Sequence, residues 1–168
     1  MREILFRGKR IDNGEWVYGF YTRIERSLPR CKVAYKHYIV PDYASALYGV
    51  EVAPSSVGHN TLIPDKNNNT IFEGHIIKAK HTFHGSISEF KNKTIRNAYG
   101  REMEESKNDL FSDFCFYYRN YVVEYSQKKG AYIARNGSDQ YYLMQLVKNH
   151  SAEIIGNIHD KPELLKGE

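Results

Sequence analysis

The sequence has few cysteines, methionines and prolines and has no long apolar run. Its 168 residues include two cysteines, three methionines and five prolines. The cysteines, Cys31 and Cys115, are far apart, and no apolar leader follows the charged start MREILFRGKR. We therefore expect a reducing compartment and two thiols, although the count alone leaves a disulfide open. Apolar runs are only a few residues long, so the sequence predicts no membrane-spanning helix.

The motifs of common enzyme classes are also missing from the sequence. It has no G-x-S-x-G, no phosphate-binding loop, no dinucleotide glycine pattern, no H-E-x-x-H and no C-x-x-C. The seven histidines include one close pair, His81 and His84, but a zinc site needs three or four ligands. Glu73 and His75 share a strand face, as any two alternate strand residues do. We predict no catalytic residue, no metal and no cofactor.

Aromatic residues are abundant instead, with 14 tyrosines and 8 phenylalanines. This composition favours strands. Asn13-Gly14 predicts a tight hairpin turn, because both central residues of a type I′ turn need positive φ. After the turn, Trp16, Tyr18 and Phe20 alternate with the residues between them, as in a half-buried strand. The N-terminal part is thus predicted to be β.

Two segments have helical spacing. Ser86 and Glu89 are spaced as in a capping box, and apolar residues follow at intervals of three and four. We therefore predict a helical insertion at about residues 86–114, and a second, short helix at residues 141–147. Elsewhere, short strands alternate with turns, as in small barrels and sandwiches. The sequence predicts a mainly β chain with minor α.

The C-terminal segment EIIGNIHDKPELL is apolar where chain ends are usually polar. Residues 152–158 predict a final strand, and Asp160 with Pro162 predicts a last helical turn. Leu164 and Leu165 would then fold back on a core. That core belongs either to the same chain or to a neighbouring subunit, and in both cases we predict a docked tail.

The net charge of +4 is unevenly distributed. Residues 22–37 hold five Lys and Arg against one acid, Glu25. We expect a loop broken at Pro29, followed by a strand at residues 35–40 that ends at Pro41-Asp42. Cations that meet phosphates, beside rings that stack on bases, are typical of nucleic-acid binders. The alternative is a solvated loop. The candidate nucleic-acid-binding residues are Arg23, Arg26, Arg30, Lys32, Lys36 and Tyr35.

The aromatic residues also indicate self-association. Tyrosine suits interfaces because it has an apolar body and a polar tip, and edge strands and exposed aromatic patches need covering. The alternative is a monomer with a tyrosine-rich core. The candidate interface residues are Tyr117, Tyr118, Tyr121, Leu164 and Leu165.

Four stretches carry a family resemblance: MREILFRGKRIDNGEWVYGF, VEVAPSSVGHNTLIPDKNNNTIFEGHIIKAK, YVVEYSQKKGAYIARNG and EIIGNIHDKPELL. Together they resemble the YopX family of small phage and prophage proteins of Gram-positive bacteria. The resemblance implies a mainly β architecture with an SH3-like barrel, and self-association. It supplies no catalytic residue, because the family's biochemical function is not established. The chain departs from the family at His75, where an acidic residue is expected, and in the longer segment of residues 81–118.

We therefore expect an N-terminal β subdomain at residues 1–72 and an SH3-like barrel subdomain at residues 73–168, with the helical insertion and the docked tail. The expected function is that of a non-enzymatic, self-associating phage or prophage accessory protein in the host cytoplasm, without a membrane. Its partners would be copies of itself and a phage or host macromolecule. One alternative is nucleic-acid binding through residues 22–37, and another is a hydrolase-type enzyme.

Overall fold

The computed structural model describes residues 5–28, 32–44, 48–84, 103–105 and 114–165, with the backbone alone for residues 26–28, 32–33, 83–84, 103–105 and 114–116. Over these residues the chain is mainly β, as predicted, with one α-helix and two antiparallel sheets. It divides into two compact units, Met1–Leu62 and Ile63–Glu168. The boundary therefore precedes the one expected after residue 72, because Ile63 and Ile71 pack in the core of the second unit.

The first unit is built on one antiparallel sheet. Its strands are β1 (Phe6–Lys9), β2 (Trp16–Leu28), β3 (Lys32–Pro41), β4 (Val50–Glu51) and β5 (Gly58–Pro64). Their order across the sheet is β4-β3-β2-β1-β5. A 3₁₀ turn at Pro54–Ser56 precedes β5, which continues across the boundary between the units.

The β1–β2 hairpin turns at Asn13-Gly14 as predicted, but the turn is wider than type I′. The Arg10 amide donates to the Glu15 carbonyl at 2.8 Å, and the Gly14 amide donates to the Arg10 carbonyl at 3.1 Å. Of the two predicted turn residues only Gly14 has a positive φ, 74°. Asn13 instead accepts the Glu15 amide on its side-chain oxygen at 3.0 Å, so its amide side chain closes the turn.

Strands β2 and β3 extend beyond their neighbours as a two-stranded arm. They pair from Gly19↔Pro41 to Leu28↔Lys32. Strand β1 pairs with β2 only as far as Gly19, and β4 pairs with β3 only at Tyr38 and Ile39. Residues 22–28 and 32–36, called the arm from here on, thus have no third strand beside them within the described ranges.

The arm corrects the expectation of a loop in the part of the basic segment, residues 22–37, that precedes Tyr35; β3 confirms the strand predicted at residues 35–40. All of this segment except residues 29–31, which lie outside the described residues, is strand. Cations interrupt the apolar alternation that is typical of a strand with one buried face. Both faces of a two-stranded ribbon can meet water, so a strand can form here without that alternation. The β-branched and aromatic residues Thr22, Ile24, Val33 and Tyr35 favour the extended backbone.

The second unit contains a second sheet and the helix. Its elements are β6 (Thr70–Phe72), β7 (His75–His84), β8 (Met103–Glu105), β9 (Phe114–Ser126), β10 (Ala131–Asn136), β11 (Asp139–Tyr142), α1 (Leu143–His150) and β12 (Glu153–Asn157). The second sheet has the order β11-β10-β9-β7-β12, with β8 also paired to β9, and β6 follows β5 in the first sheet. Helix α1 confirms the predicted short helix, beginning slightly later than expected. Its Leu143 and Leu146 are fully buried.

The described strands do not close into a barrel, so the SH3-like barrel is not confirmed. Strands β11 and β12 stand at opposite ends of the second sheet. Helix α1 connects these two strands and packs against β7 and β10. It covers a sheet face, where a barrel would need the two edges to pair.

The predicted helical insertion at residues 86–114 falls largely outside the described residues. The described part, Met103–Glu105 and Phe114, is strand and not helix. Strand β8 pairs with β9 from Met103↔Tyr117 to Glu105↔Cys115, because tertiary pairing can override local helical spacing. Ser86 and Glu89, with the capping-box spacing, lie outside the described ranges.

The C-terminal tail docks on its own chain. Strand β12 pairs with β7 from Glu153↔Lys78 to Asn157↔His75, which confirms the predicted final strand. The side-chain oxygen of Asn157 accepts the amides of His159 at 2.9 Å and Asp160 at 3.0 Å. This turn leads into a 3₁₀ turn at Pro162–Leu165, where a helical turn was predicted.

Candidate functional site

The two faces of the arm and its base differ in exposure. Strand side chains alternate between faces, and directly paired residues share a face. Tyr18, Phe20 and Ile24 lie on one face, called the outer face, and are 49%, 47% and 55% exposed. The opposite, inner face carries Tyr21 and the fully buried Ile39, which pair with each other. The outer face therefore presents a row of apolar side chains to solvent.

The outer face changes from aromatic at the base of the arm to basic further out. Beyond Phe20, Ile24 pairs with Lys36. By register, Arg26 and Lys32 occupy the same face, still further along the two strands. Exposed rings and basic positions thus follow one another along one face of the same ribbon.

On the inner face, two predicted nucleic-acid-binding residues contact each other. The guanidinium carbon of Arg23 lies 4.2 Å from the centre of the Tyr35 ring, a cation–π contact that stabilises the arm modestly. Glu25 pairs with Tyr35 on this face. The Tyr21 hydroxyl and His37 Nδ1 are hydrogen-bonded at 2.7 Å. The Arg23 side of the Tyr35 ring is therefore already covered.

The other predicted nucleic-acid-binding residues differ in position and in local charge. Lys36 Nζ lies 2.7 Å from Glu51 Oε2 in a half-exposed ion pair, so its charge is balanced locally. For Arg26 and Lys32 the structure gives the strand position but not the side chain, and Arg30 lies outside the described residues. The basic segment is thus divided between two faces.

The sequence predicts that Tyr18 and Phe20 share one face of a half-buried strand, but the alternation does not show which face is buried. In the structure the buried side carries Gly19. A Cβ at Gly19 would overlap the carbonyl oxygen of Val40, and its φ is 153°. A glycine inside a strand often marks a close backbone approach. Gly19 was therefore the sequence signal for which face is buried.

The three tyrosines of β9 predicted for an interface have different positions. Tyr121 is 1% exposed, and its hydroxyl is hydrogen-bonded to His81 Nε2 at 2.9 Å. Burial raises the pKa of the Tyr121 hydroxyl, and the residue belongs to the core. Tyr117 is half-buried and stacks on the His81 ring at 5.1 Å. Tyr118 is half-buried with Lys78 Nζ 4.6 Å from its ring centre. Tyr121 therefore cannot meet a partner while the sheet is folded.

The two predicted tail residues of the interface are half-buried on the same chain. The Leu164 carbonyl accepts a hydrogen bond from the Asn120 side-chain amide at 2.8 Å. A Cβ at Gly156 would lie 3.0 Å from Leu164 Cδ1, so the leucine packs closely on β12. With Leu165 half-buried beside it, the apolar tail is explained by contacts within one chain.

Metal and membrane sites are two further classes of candidate site. The described residues contain no cluster of three or more His, Cys, Asp or Glu side chains placed to hold a metal ion. None of the helices in these residues has the length and hydropathy that a membrane span requires. The side chains of His84 and Cys115, and the whole of Cys31, lie outside this part of the chain.

The fold and the surface define a mainly β protein of two units with an exposed aromatic and basic arm. Residues 5–166 match the family described as YopX protein. The chain therefore belongs to the YopX family and is a phage-type protein. Among curated proteins, none matches it.

The family match confirms the resemblance seen in the sequence. The structure shows what His75 does at the position where the sequence resemblance leads us to expect an acidic residue. The Nδ1 atom of His75 accepts the backbone amide of Phe72 at 3.2 Å, across the turn at Glu73 and Gly74. A carboxylate could accept the same amide. The histidine therefore retains the acceptor that an acidic residue would supply to this turn.

Proposed function

We propose that this protein is a non-enzymatic phage accessory protein that acts by binding in the host cytoplasm. It self-associates and binds a phage or host macromolecule. The observation that carries the proposal is the arm, which extends a two-stranded ribbon beyond the rest of its sheet. A rigid scaffold that presents an exposed ribbon is typical of a recognition element.

Self-association is supported by the edges and side chains of the arm. Within the described part of the chain, residues 22–28 have a strand neighbour on one side only. An unpaired edge is a template for pairing with another chain. Four of the exposed large apolar residues lie on β2 and β3. They are Tyr18, Phe20, Ile24 and Tyr35.

The expected effect of Ile24→Lys is dissociation of the oligomer without loss of fold. Ile24 is 55% exposed, so the lysine costs the folded chain little. In a symmetric pair of arms the new charge occurs twice, and lysine on an edge strand opposes pairing. The measurement is the molar mass by light scattering across a range of protein concentrations.

Met144→Lys is the matched control, because Met144 is 53% exposed on α1 of the second unit. It should leave the molar mass unchanged. A wild-type chain that stays monomeric at its highest soluble concentration would rule out self-association. An oligomer that survives Ile24→Lys but not Met144→Lys would move the interface to the second unit.

A second candidate function is nucleic-acid binding by the arm. It is supported by the five Lys and Arg against one acid in residues 22–37, four of which lie at strand positions of the arm. Phosphate contacts make such binding steeply dependent on salt. The two candidates are compatible where copies pair through the edge of the arm, and they compete where Tyr18, Phe20 and Ile24 of the outer face are buried between copies.

Arg23→Ala with Arg26→Ala is expected to weaken binding to nucleic acid and to flatten its salt dependence. Labelled single- and double-stranded DNA and RNA would be titrated at about 50 and about 200 mM salt. On duplex DNA the slope should fall by about 0.9 for each phosphate that the variant no longer neutralises. The control, Lys128→Ala with Lys148→Ala, removes two exposed cations from the second unit. Equal weakening in both variants would indicate an effect of net charge and not of the arm.

A further inference from the structure

The spacing of the exposed rings on the outer face favours one form of nucleic acid. Tyr18 and Phe20 are alternate residues of β2, so they lie about 6.6–6.8 Å apart along the strand. Successive bases in one strand of a duplex are only about 3.4 Å apart. Two neighbouring bases can therefore meet both rings only if the nucleic-acid strand is extended and its bases are unstacked from each other.

The exposure of the two rings also favours an extended strand with unstacked bases. Both Tyr18 and Phe20 are about half exposed, at 49% and 47%, on one face of an antiparallel sheet. Duplex bases keep their faces inside the stack and can meet a protein ring only after a base is flipped out or a base step is opened. Single strands offer their base faces freely, and aromatic rings on protein surfaces bind them with little sequence preference.

Charge on the outer face matches a phosphate backbone that continues past the rings. The register places three cations, Arg26, Lys32 and Lys36, further along this face. One acid, Glu51, shares the face through its pairing with Tyr38 and is bonded to Lys36. By register, Arg26 and Lys32 are the other two cations of this face. On the inner face, in contrast, Glu25 shares the surface with Arg23.

We propose that the outer face binds single-stranded nucleic acid. Phe20 and Tyr18 stack on successive bases, and the cations at positions 26 and 32 contact the phosphates that follow. This inference rests on the second candidate function and names its substrate class and its residues. It moves the binding surface away from Arg23 and Tyr35, whose side chains contact each other on the inner face.

The experiment compares a short labelled DNA single strand, the RNA of the same sequence and the corresponding DNA duplex, by fluorescence anisotropy. The main variant is Tyr18→Leu with Phe20→Leu, which removes both rings but keeps apolar side chains. Its matched control is Tyr18→Phe with Phe20→Tyr, which keeps both rings. Circular dichroism and light scattering on each variant check that fold and oligomeric state are retained.

Wild type should bind the single strands more tightly than the duplex. Loss of the two rings should weaken single-strand binding by at least about tenfold, because each stacked base contributes substantially to affinity. The ring-keeping control should stay within about twofold of wild type, since every aromatic ring offers a π-face. Arg26→Ala with Lys32→Ala should lower the single-strand salt slope by about 1.4, at about 0.7 for each neutralised phosphate, whereas Lys128→Ala with Lys148→Ala should not change it.

The outcomes separate this inference from the candidate function beneath it. If none of the three probes binds at low salt, both the stacking surface and nucleic-acid binding by the arm are overturned. Salt-dependent binding that is unchanged by loss of the two rings, or that is as tight on duplex, overturns the stacking surface but leaves nucleic-acid binding by the arm. Equal weakening in the ring-keeping control also overturns stacking, because that variant retains the rings.

Discussion

Gly19→Ala is expected to lower the free energy of unfolding of the first unit by about 3 kcal/mol or more. The new methyl group would overlap the carbonyl oxygen of Val40 on the neighbouring strand. A carbonyl in a paired strand cannot move aside as the end of a flexible side chain can. The φ of 153° at Gly19 is also one that other residues rarely adopt. Denaturant unfolding followed by the fluorescence of Trp16, the single tryptophan, would measure the loss.

Gly14→Ala is the control for this prediction. Gly14 also has a positive φ, 74°, but the nearest atom to its added Cβ is Lys9 Cε at 3.7 Å. It should therefore show the backbone strain alone, about 1 kcal/mol. Equal destabilisation by the two substitutions would show that the close approach of β3 to Gly19 has no energetic weight.

Asp65→Ala is expected to cost about 3 kcal/mol in the second unit, because it removes one acceptor from several donors. Asp65 is 4% exposed. Its Oδ1 accepts the amides of Asn67 at 2.9 Å and Asn69 at 2.8 Å, and its Oδ2 accepts the amide of Ile154 at 3.1 Å. One carboxylate thus joins the β5–β6 turn to the start of β12. Asp65→Asn keeps one acceptor oxygen and should lose less.

The same carboxylate predicts a pH dependence of stability. Burial disfavours its ionised form, but the hydrogen bonds from Asn69 and Ile154 outweigh burial, so the pKa of Asp65 is lowered in the folded chain. A lowered pKa means that the stabilisation is complete above the unfolded-state value of about 3.9 and is lost as pH falls through the folded value. Unfolding curves of wild type and Asp65→Asn should therefore differ most near neutral pH and converge in acid.

Asp12→Ala is the matched control for the carboxylate. Asp12 accepts from the Arg10 guanidinium, with its Oδ2 2.6 Å from Arg10 Nη2, but its side chain is 63% exposed. Exposed ion pairs contribute little, so this variant should stay close to wild type. A loss as large as that of Asp65→Ala would mean that burial of the acceptor is not the cause.

Local signals predicted several elements of the fold correctly. Asn13-Gly14 predicted the position of the β1–β2 turn, although the loop is longer than a two-residue type I′ turn. Apolar spacing marked α1, and the run EIIGNI marked β12. These elements depend on neighbours in sequence, or on an apolar pattern that only one kind of element can bury.

The candidate site was predicted only in part, because its key features depend on distant residues. The cations of residues 22–37 were identified, but the way they divide between two faces follows from the register of β2 with β3. Periodicity showed that Tyr18 and Phe20 share a face. It could not show that this face is exposed, since that depends on where β3 approaches Gly19. The burial of Tyr121 against His81 likewise follows from pairing across 40 positions.

The pairing of β12 with β7 fixes when the two units can be completed during synthesis on the ribosome. In the described residues, the pairs that join β1 to β2 and β5, β2 to β3 and β3 to β4 lie between Phe6 and His59, so this part of the first sheet can form early. Residues of β7 emerge next, but their partner Asn157 is made much later. At about 5–20 residues per second, the interval is about 4 to 16 seconds. During this interval one edge of β7 is without its partner strand, which makes the nascent second unit the part most exposed to mispairing.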